Sequence, residues 1–230
     1  RVEIIPVIDV MGGKVVHACG GERAEYPLLA STLTASHDPT EVIMDLLAYH
    51  PFTTFYIADL DAIMSGKRNN ELYFKISQAL PHINFYLDAG VTDKTSWQAL
   101  LVNTNIYPVI GSETLVETFW LTEAEVQEKS LLSLDFKQGK FLGDDHLLES
   151  ADLWPKQIIA MNLDCIGAKG GPDLQLLDNL RSKSNSHIIA AGGVRSEQDL
   201  MVLQQQGIEQ VLVASALHDG RVNKQILASI

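Results

Sequence analysis

The chain has 230 residues, 46% hydrophobic and 20% charged, which fits one compact globular domain over 1–230 and excludes a disordered polymer. A net charge of -12 argues against a nucleic-acid partner, since that binding rests on clustered Lys and Arg meeting phosphates. No run approaches the roughly 20 apolar residues of a membrane helix, and none near Arg1–Pro6 resembles a signal peptide, so a cytoplasmic chain with no membrane partner is expected.

In chain order, short apolar runs predict strands at Ile4–Val10, Thr54–Ala58, Ile83–Leu87, Tyr107–Ile110, Leu131–Leu134, Ile158–Met161, Ile188–Ala190 and Gln210–Val213. They show little period-two alternation, the pattern of strands buried on both faces in a parallel sheet. Between them fall helical segments such as Pro39–Tyr49, Asn70–Leu80, Ser196–Gln206 and Asn223–Ala228. Ser196 offers a cap oxygen at the start of its helix, and Gly207 a left-handed stop at its end. Cys19 and Cys165 read as free thiols rather than a disulfide framework. The histidines show no paired spacing for a metal.

An internal repeat separates a closed barrel from an open sheet. A shift of 103 positions lays Gly90-Val91 on Gly193-Val194, Leu100 on Leu203, Ser112 on Ser215 and Asp61 on Asp164. Near the start of each half the shift is 126: Ile8-Asp9 with Gly13-Lys14 matches Leu134-Asp135 with Gly139-Lys140. The offsets differ by 23 residues, which places an inserted segment around His17–Asp38, a lid candidate at the barrel mouth. Two repeated (β/α)4 halves give a (β/α)8 TIM barrel in the α/β class.

These words resemble the histidine-biosynthesis (β/α)8-barrel family (HisA/HisF-like). The resembling pieces are Ile4-Ile5-Pro6-Val7-Ile8-Asp9-Val10, Asp59-Leu60-Asp61-Ala62, Val109-Ile110-Gly111-Ser112, Leu134-Asp135 and Ala191-Gly192-Gly193-Val194, spread along nearly the whole chain. The isoleucine before Asp9 and the hairpin-like segment after Asp135 are closer to the phosphoribosylformimino-AICAR ribotide isomerase than to the cyclase branch. Related proteins of methanogens and methylotrophs form a third group to which the chain is also similar. What the resemblance implies is an Amadori-type aldose–ketose isomerase of histidine biosynthesis that needs no cofactor and no metal. A related barrel acting on a different, singly phosphorylated molecule, for example in one-carbon cofactor biosynthesis, and a non-catalytic metabolite-binding barrel are the alternatives. A Mg²⁺ site among the carboxylates is a lesser one.

Residues at the C-terminal ends of barrel strands face the site. Those positions carry Asp9, Asp59, Asp88, Gly111-Ser112, Asp135, Asn162, Gly192-Gly193 and Ala214-Ser215. Asp9 and Asp135 are repeat-equivalent and come from strands one and five, on opposite sides of the barrel. By resemblance, Asp9 is the base and Asp135 the acid, with Asn162 where the isomerase has an assisting threonine. Phosphate is expected on Gly192, Gly193, Ala214 and Ser215, with Gly170, Gly171, Arg195 and Lys169 nearby and Gly111, Ser112, Asp59 and Asp88 as further contacts. Asp88-Ala89-Gly90-Val91-Thr92 departs from the family's Gly-Gly-Gly-Ile-Arg, and His17 stands where the isomerase has an arginine, so the phosphate site of the N-terminal half is expected to be weakened or replaced. The small-molecule substrate is the only partner expected; oligomeric state is left open.

Overall fold

The computed structural model describes residues 1–18, 23–164 and 170–230. Cys19, Cys165, Lys169 and part of the inserted segment lie outside them. Ten strands form: β1 Glu3–Met11, β2 Lys14–Val16, β3 Thr54–Asp59, β4 Asn84–Asp88, β5 Ile106–Gly111, β6 Leu131–Lys137, β7 Lys140–Leu142, β8 Gln157–Asn162, β9 His187–Ala191 and β10 Gln210–Val213. Eight of them pair in parallel in the order β1, β3, β4, β5, β6, β8, β9, β10. The ring closes through β1 on β10, with Ile4 opposite Val211. This is a (β/α)8 barrel, with helices between its strands.

Two apolar shells explain why the strands read as continuous runs. Every barrel strand contributes to one interior layer: Ile5, Tyr56, Tyr86, Val109, Leu131, Ile159, Ile189 and Leu212. Their neighbours point outward and pack against helices, as Ile8, Ile57 and Leu87 do with Val42, Ile43, Leu46 and Ile76. All six residues of β3 are buried for this reason.

The repeat is visible atom by atom. β2 and β7 are short antiparallel returns on β1 and β6, pairing Val16 with Asp9 and Leu142 with Asp135. Both hairpin turns are left-handed at two positions, Gly12 and Gly13 (φ 59 and 77°) and Gln138 and Gly139 (φ 53 and 74°). Each turn is pinned from the following loop: Gly12 N–H donates to Asp61 Oδ2 at 2.7 Å, and Gln138 N–H to Asp164 Oδ2 at 2.6 Å.

The helix Pro39–Tyr49 has the predicted bounds and is capped by Asp38, which accepts from Glu41 N–H. The helix Glu197–Gln205 ends as expected: Gly207 (φ 79°) donates to Gln204 O and Ile208 N–H to Leu203 O, a Schellman closure. Its start differs. Ser196 makes no capping bond; Asp199 in the first turn instead accepts from Arg195 N–H at 2.7 Å. The inserted segment is laced back onto the barrel. Leu29 N–H donates to Val15 O, and Thr32 N–H and Oγ1 both donate to His218 O. Ser31 Oγ meets His218 Nδ1 at 2.7 Å. Burial drives that histidine's pKa down to about 4, so it is a neutral brace at ordinary pH.

Candidate active site

Inward residues recur every second position along a strand. Counting from the interior layer, Ile5 leads through Val7 to Asp9, Tyr86 to Asp88, and Leu131 through Ser133 to Asp135. All three aspartates therefore emerge at the C-terminal end of the barrel. They line one cavity of about 460 Å³ together with Gly192, Gly193, Ala214 and Ser215. β1 and β6 are four strands apart in either direction round the ring, so Asp9 and Asp135 face each other across it.

The same counting turns other expected residues away. Asp59 follows outward from Ala58; it caps the next helix through Ala62 N–H (3.2 Å), accepts from Asn69 N–H (3.0 Å) and holds the Tyr73 hydroxyl. Asn162, its repeat equivalent, donates from Nδ2 to Asp173 Oδ2 at 2.7 Å and accepts from Asp164 N–H. Neither lines the cavity. Ser112 is buried behind it, donating to Leu142 O (2.7 Å) and accepting from Asp135 N–H (2.9 Å). Gly111 stands beside it, its missing Cβ leaving Asp88 Oδ2 and Asp135 Oδ2 on either side. Arg195 is tied to Asp199 by two guanidinium bonds of 3.0 and 2.9 Å, outside the cavity, and packs on Gly171. Gly170 and Gly171 likewise do not line the cavity. Gly193 needs its glycine for packing as well, since a Cβ there would run into the Gly171 carbonyl.

The three inward carboxylates have unlike surroundings. Asp9, 9% exposed, makes no hydrogen bond from its carboxylate among the described residues. Burial pushes its pKa up to about 7 against the opposing pull of Arg23. Asp135 is gripped: Oδ1 accepts from Ser133 Oγ at 2.8 Å and Oδ2 from Glu113 N–H at 3.1 Å. The Ser112 hydroxyl spends its one proton on Leu142 O, so its 3.4 Å approach to Asp135 is a contact of oxygens. Burial, then the charge of Asp88, still lift Asp135 to about 7. Asp88 is raised to about 6 by burial, restrained by Gly90 N–H and Arg23.

Arg23, Tyr26, Tyr56, Glu113 and Lys137 also line the cavity and had no motif to mark them. Arg23 comes from the inserted segment and makes a two-pronged bond to Glu113, at 2.9 and 3.0 Å. Its sequence signal is slight: a charged residue within the insertion.

The two halves also differ in their backbone donors. Among the described residues, nothing accepts from the N–H of Gly193 or Ser215. Their repeat equivalents are occupied: Gly90 N–H donates to Asp88 Oδ1 at 3.1 Å and Ser112 N–H to Ser133 O at 2.9 Å. No three His, Cys, Asp or Glu side chains among the described residues converge as a metal site would need.

Residues 3–223 match the family described as histidine biosynthesis protein. The chain belongs to that family. A family relative from Methanocaldococcus jannaschii, an uncharacterized protein, is 31% identical over 225 residues, covering 95% of this chain and 94% of its own. The 1-(5-phosphoribosyl)-5-((5-phosphoribosylamino)methylideneamino)imidazole-4-carboxamide isomerase of Nitrosococcus oceani is 26% identical over 236 residues, or 95% of this chain and 92% of the relative. Phosphoribosyl isomerase A of Mycolicibacterium vanbaalenii is 26% identical over 241 residues, covering 95% and 89%. The named relatives of this histidine-biosynthesis barrel are thus isomerases. Among its described residues no helix is long and apolar enough to cross a membrane.

Proposed function

We propose that this histidine-biosynthesis family barrel is an aldose–ketose isomerase acting on a phosphorylated aminoaldose. The observation that carries the reading is the pair of repeat-equivalent carboxyls, Asp9 and Asp135, facing each other across one cavity with raised pKa values. A raised pKa keeps a carboxyl partly protonated near neutral pH, so one such group can give a proton while the other takes one.

In this reading Asp135, protonated, donates to the ring oxygen of the aminoaldose and opens it to the Schiff base. Asp9, without a hydrogen-bond partner among the described residues, takes the proton from the neighbouring carbon, and the resulting enolamine becomes the ketose. The grip of Ser133 and Glu113 fixes the direction of the Asp135 carboxyl, while Asp9 is left an open lone pair. A substrate phosphate sits on the N–H groups of Gly193 and Ser215, which have no acceptor among the described residues and need no side-chain cation to hold an anion. The occupied donors at Gly90 and Ser112 favour a substrate with a single phosphate over one with a phosphate at each end.

The test is turnover of the histidine-pathway aminoaldose, and of N-substituted ribosylamine 5-phosphates, by the purified chain and by Asp9→Asn and Asp135→Asn. Ketose formation that falls by about 10³-fold or more in each variant supports the assignment. Turnover that survives either substitution removes that aspartate from the chemistry. Folded protein with no turnover of any of these compounds rejects the isomerase reading.

A further inference from the structure

The N-terminal side of the cavity is built unlike a phosphate cup, and its walls say what it suits. The N–H groups of Gly90 and Ser112 are taken, and two carboxylates, Asp88 and Glu113, line the wall and would repel an anion. Arg23, the cation that the inserted segment brings to this wall, is engaged at both prongs by Glu113. Asp88 Oδ1 accepts from Gly90 N–H, whereas Oδ2 has no hydrogen-bond donor among the described residues. Asp9, nine-tenths buried and also without a hydrogen-bond partner there, lines the same space. The remaining wall is aromatic and apolar: Tyr26 from the inserted segment, Tyr56 of β3, and Leu60, Ile63 and Met64 of the helix Leu60–Ser65.

We propose that this side of the mouth is a subsite for an amine-bearing aromatic ring, with Asp88 accepting from its N–H or ammonium group, and that it rejects a second anion. The inference rests on the isomerase reading, whose phosphate lies at the opposite side on Gly193 and Ser215. A flat ring matches the tyrosines and the aliphatic face of the short helix, and its nitrogen supplies the donor that Asp88 Oδ2 lacks. A metal ion is the poorer fit, because no three carboxylate, histidine or cysteine ligands group together among the described residues. At neutral pH Asp88, with a pKa of about 6, is mostly ionised and ready to meet a cation.

The experiment uses stable ring probes rather than the unknown substrate: phenyl, 4-(aminomethyl)phenyl and 4-carboxyphenyl ribofuranoside 5-phosphates, titrated calorimetrically into the full chain at pH 7.5. The aminomethyl probe is expected to bind about tenfold or more tightly than the carboxy probe, the scale of one hydrogen bond to a charged group. Asp88→Asn should reduce that preference by about tenfold and leave the unsubstituted phenyl probe unchanged, which also reports that the variant is folded. Equal or tighter binding of the carboxy probe to the wild-type chain overturns the proposal without recourse to any variant. So does a preference that survives Asp88→Asn, or loss of the aminomethyl preference when millimolar Mg²⁺ competes for the carboxylates. Failure of the underlying reading looks different: the dephosphorylated glycosides would then bind as tightly as the 5-phosphates.

Discussion

Asp9→Asn should make the protein more stable, and increasingly so as pH rises. The folded pKa of Asp9 is about 7 against 3.8 for an unperturbed side chain, so the native state holds a proton that the unfolded chain releases. A carboxyl raised in this way favours folding fully below pH 3.8 and loses that advantage progressively up to about pH 7. Three pKa units at about 1.4 kcal/mol each set a ceiling of about 4 kcal/mol on the cost of ionising the buried group. Roughly a third of that cost is already present at pH 5, and all of it at pH 8.5, so the gap between variant and wild type should widen by up to about 3 kcal/mol over that interval. Urea unfolding of both proteins at the two pH values measures it. Comparing the change in the gap, rather than the gap itself, cancels any pH-independent cost of seating an amide. Parallel profiles would refute the claim that burial of the Asp9 carboxyl raises its pKa.

The brace under the inserted segment gives a slope of opposite sign. His218 has a folded pKa of about 4, below the ordinary 6.5, so its contribution is whole above pH 6.5 and is lost as pH falls towards 4. Replacing His218 with Gln should flatten this acid limb of the unfolding curve; an unchanged limb assigns it to other groups. Gly193→Ala places a Cβ against the Gly171 carbonyl at a residue with φ of 82° and should cost about 2 kcal/mol or more in urea unfolding. The substrate's 5-phosphate should then lose affinity as well, because the N–H that meets it moves with the turn; full affinity in a folded variant would place the phosphate elsewhere.

The barrel could be read from the chain because each strand is a short apolar run and the duplication fixes the number of them. The opposed pair Asp9 and Asp135 followed from the same duplication. The phase of each strand did not. With both faces buried, β3 carries no polar alternation to say that Ala58 points in and Asp59 out, and the same ambiguity hid the outward turn of Asn162 and Ser112. Phase was recoverable only by relating each end residue to the interior layer, and membership of that layer is a tertiary property. Arg23 was missed for another reason: its place depends on a bond to Glu113, 90 residues on, which no local pattern encodes.

The matched hairpins of the two halves give the mouth a pseudo-twofold axis running down the barrel, with each hairpin turn fastened by an aspartate from the next loop. Asp9 and Asp135 are exchanged by that axis, so the backbone frame by itself treats them alike. Any assignment of donor and acceptor must come from what breaks the symmetry: Ser133, Glu113 N–H and Asp88 around one acid, Arg23 near the other. Ancestral duplication thus supplied two interchangeable acids. Divergence at their neighbours, rather than at the acids themselves, is where directionality and substrate choice can drift without dismantling the barrel.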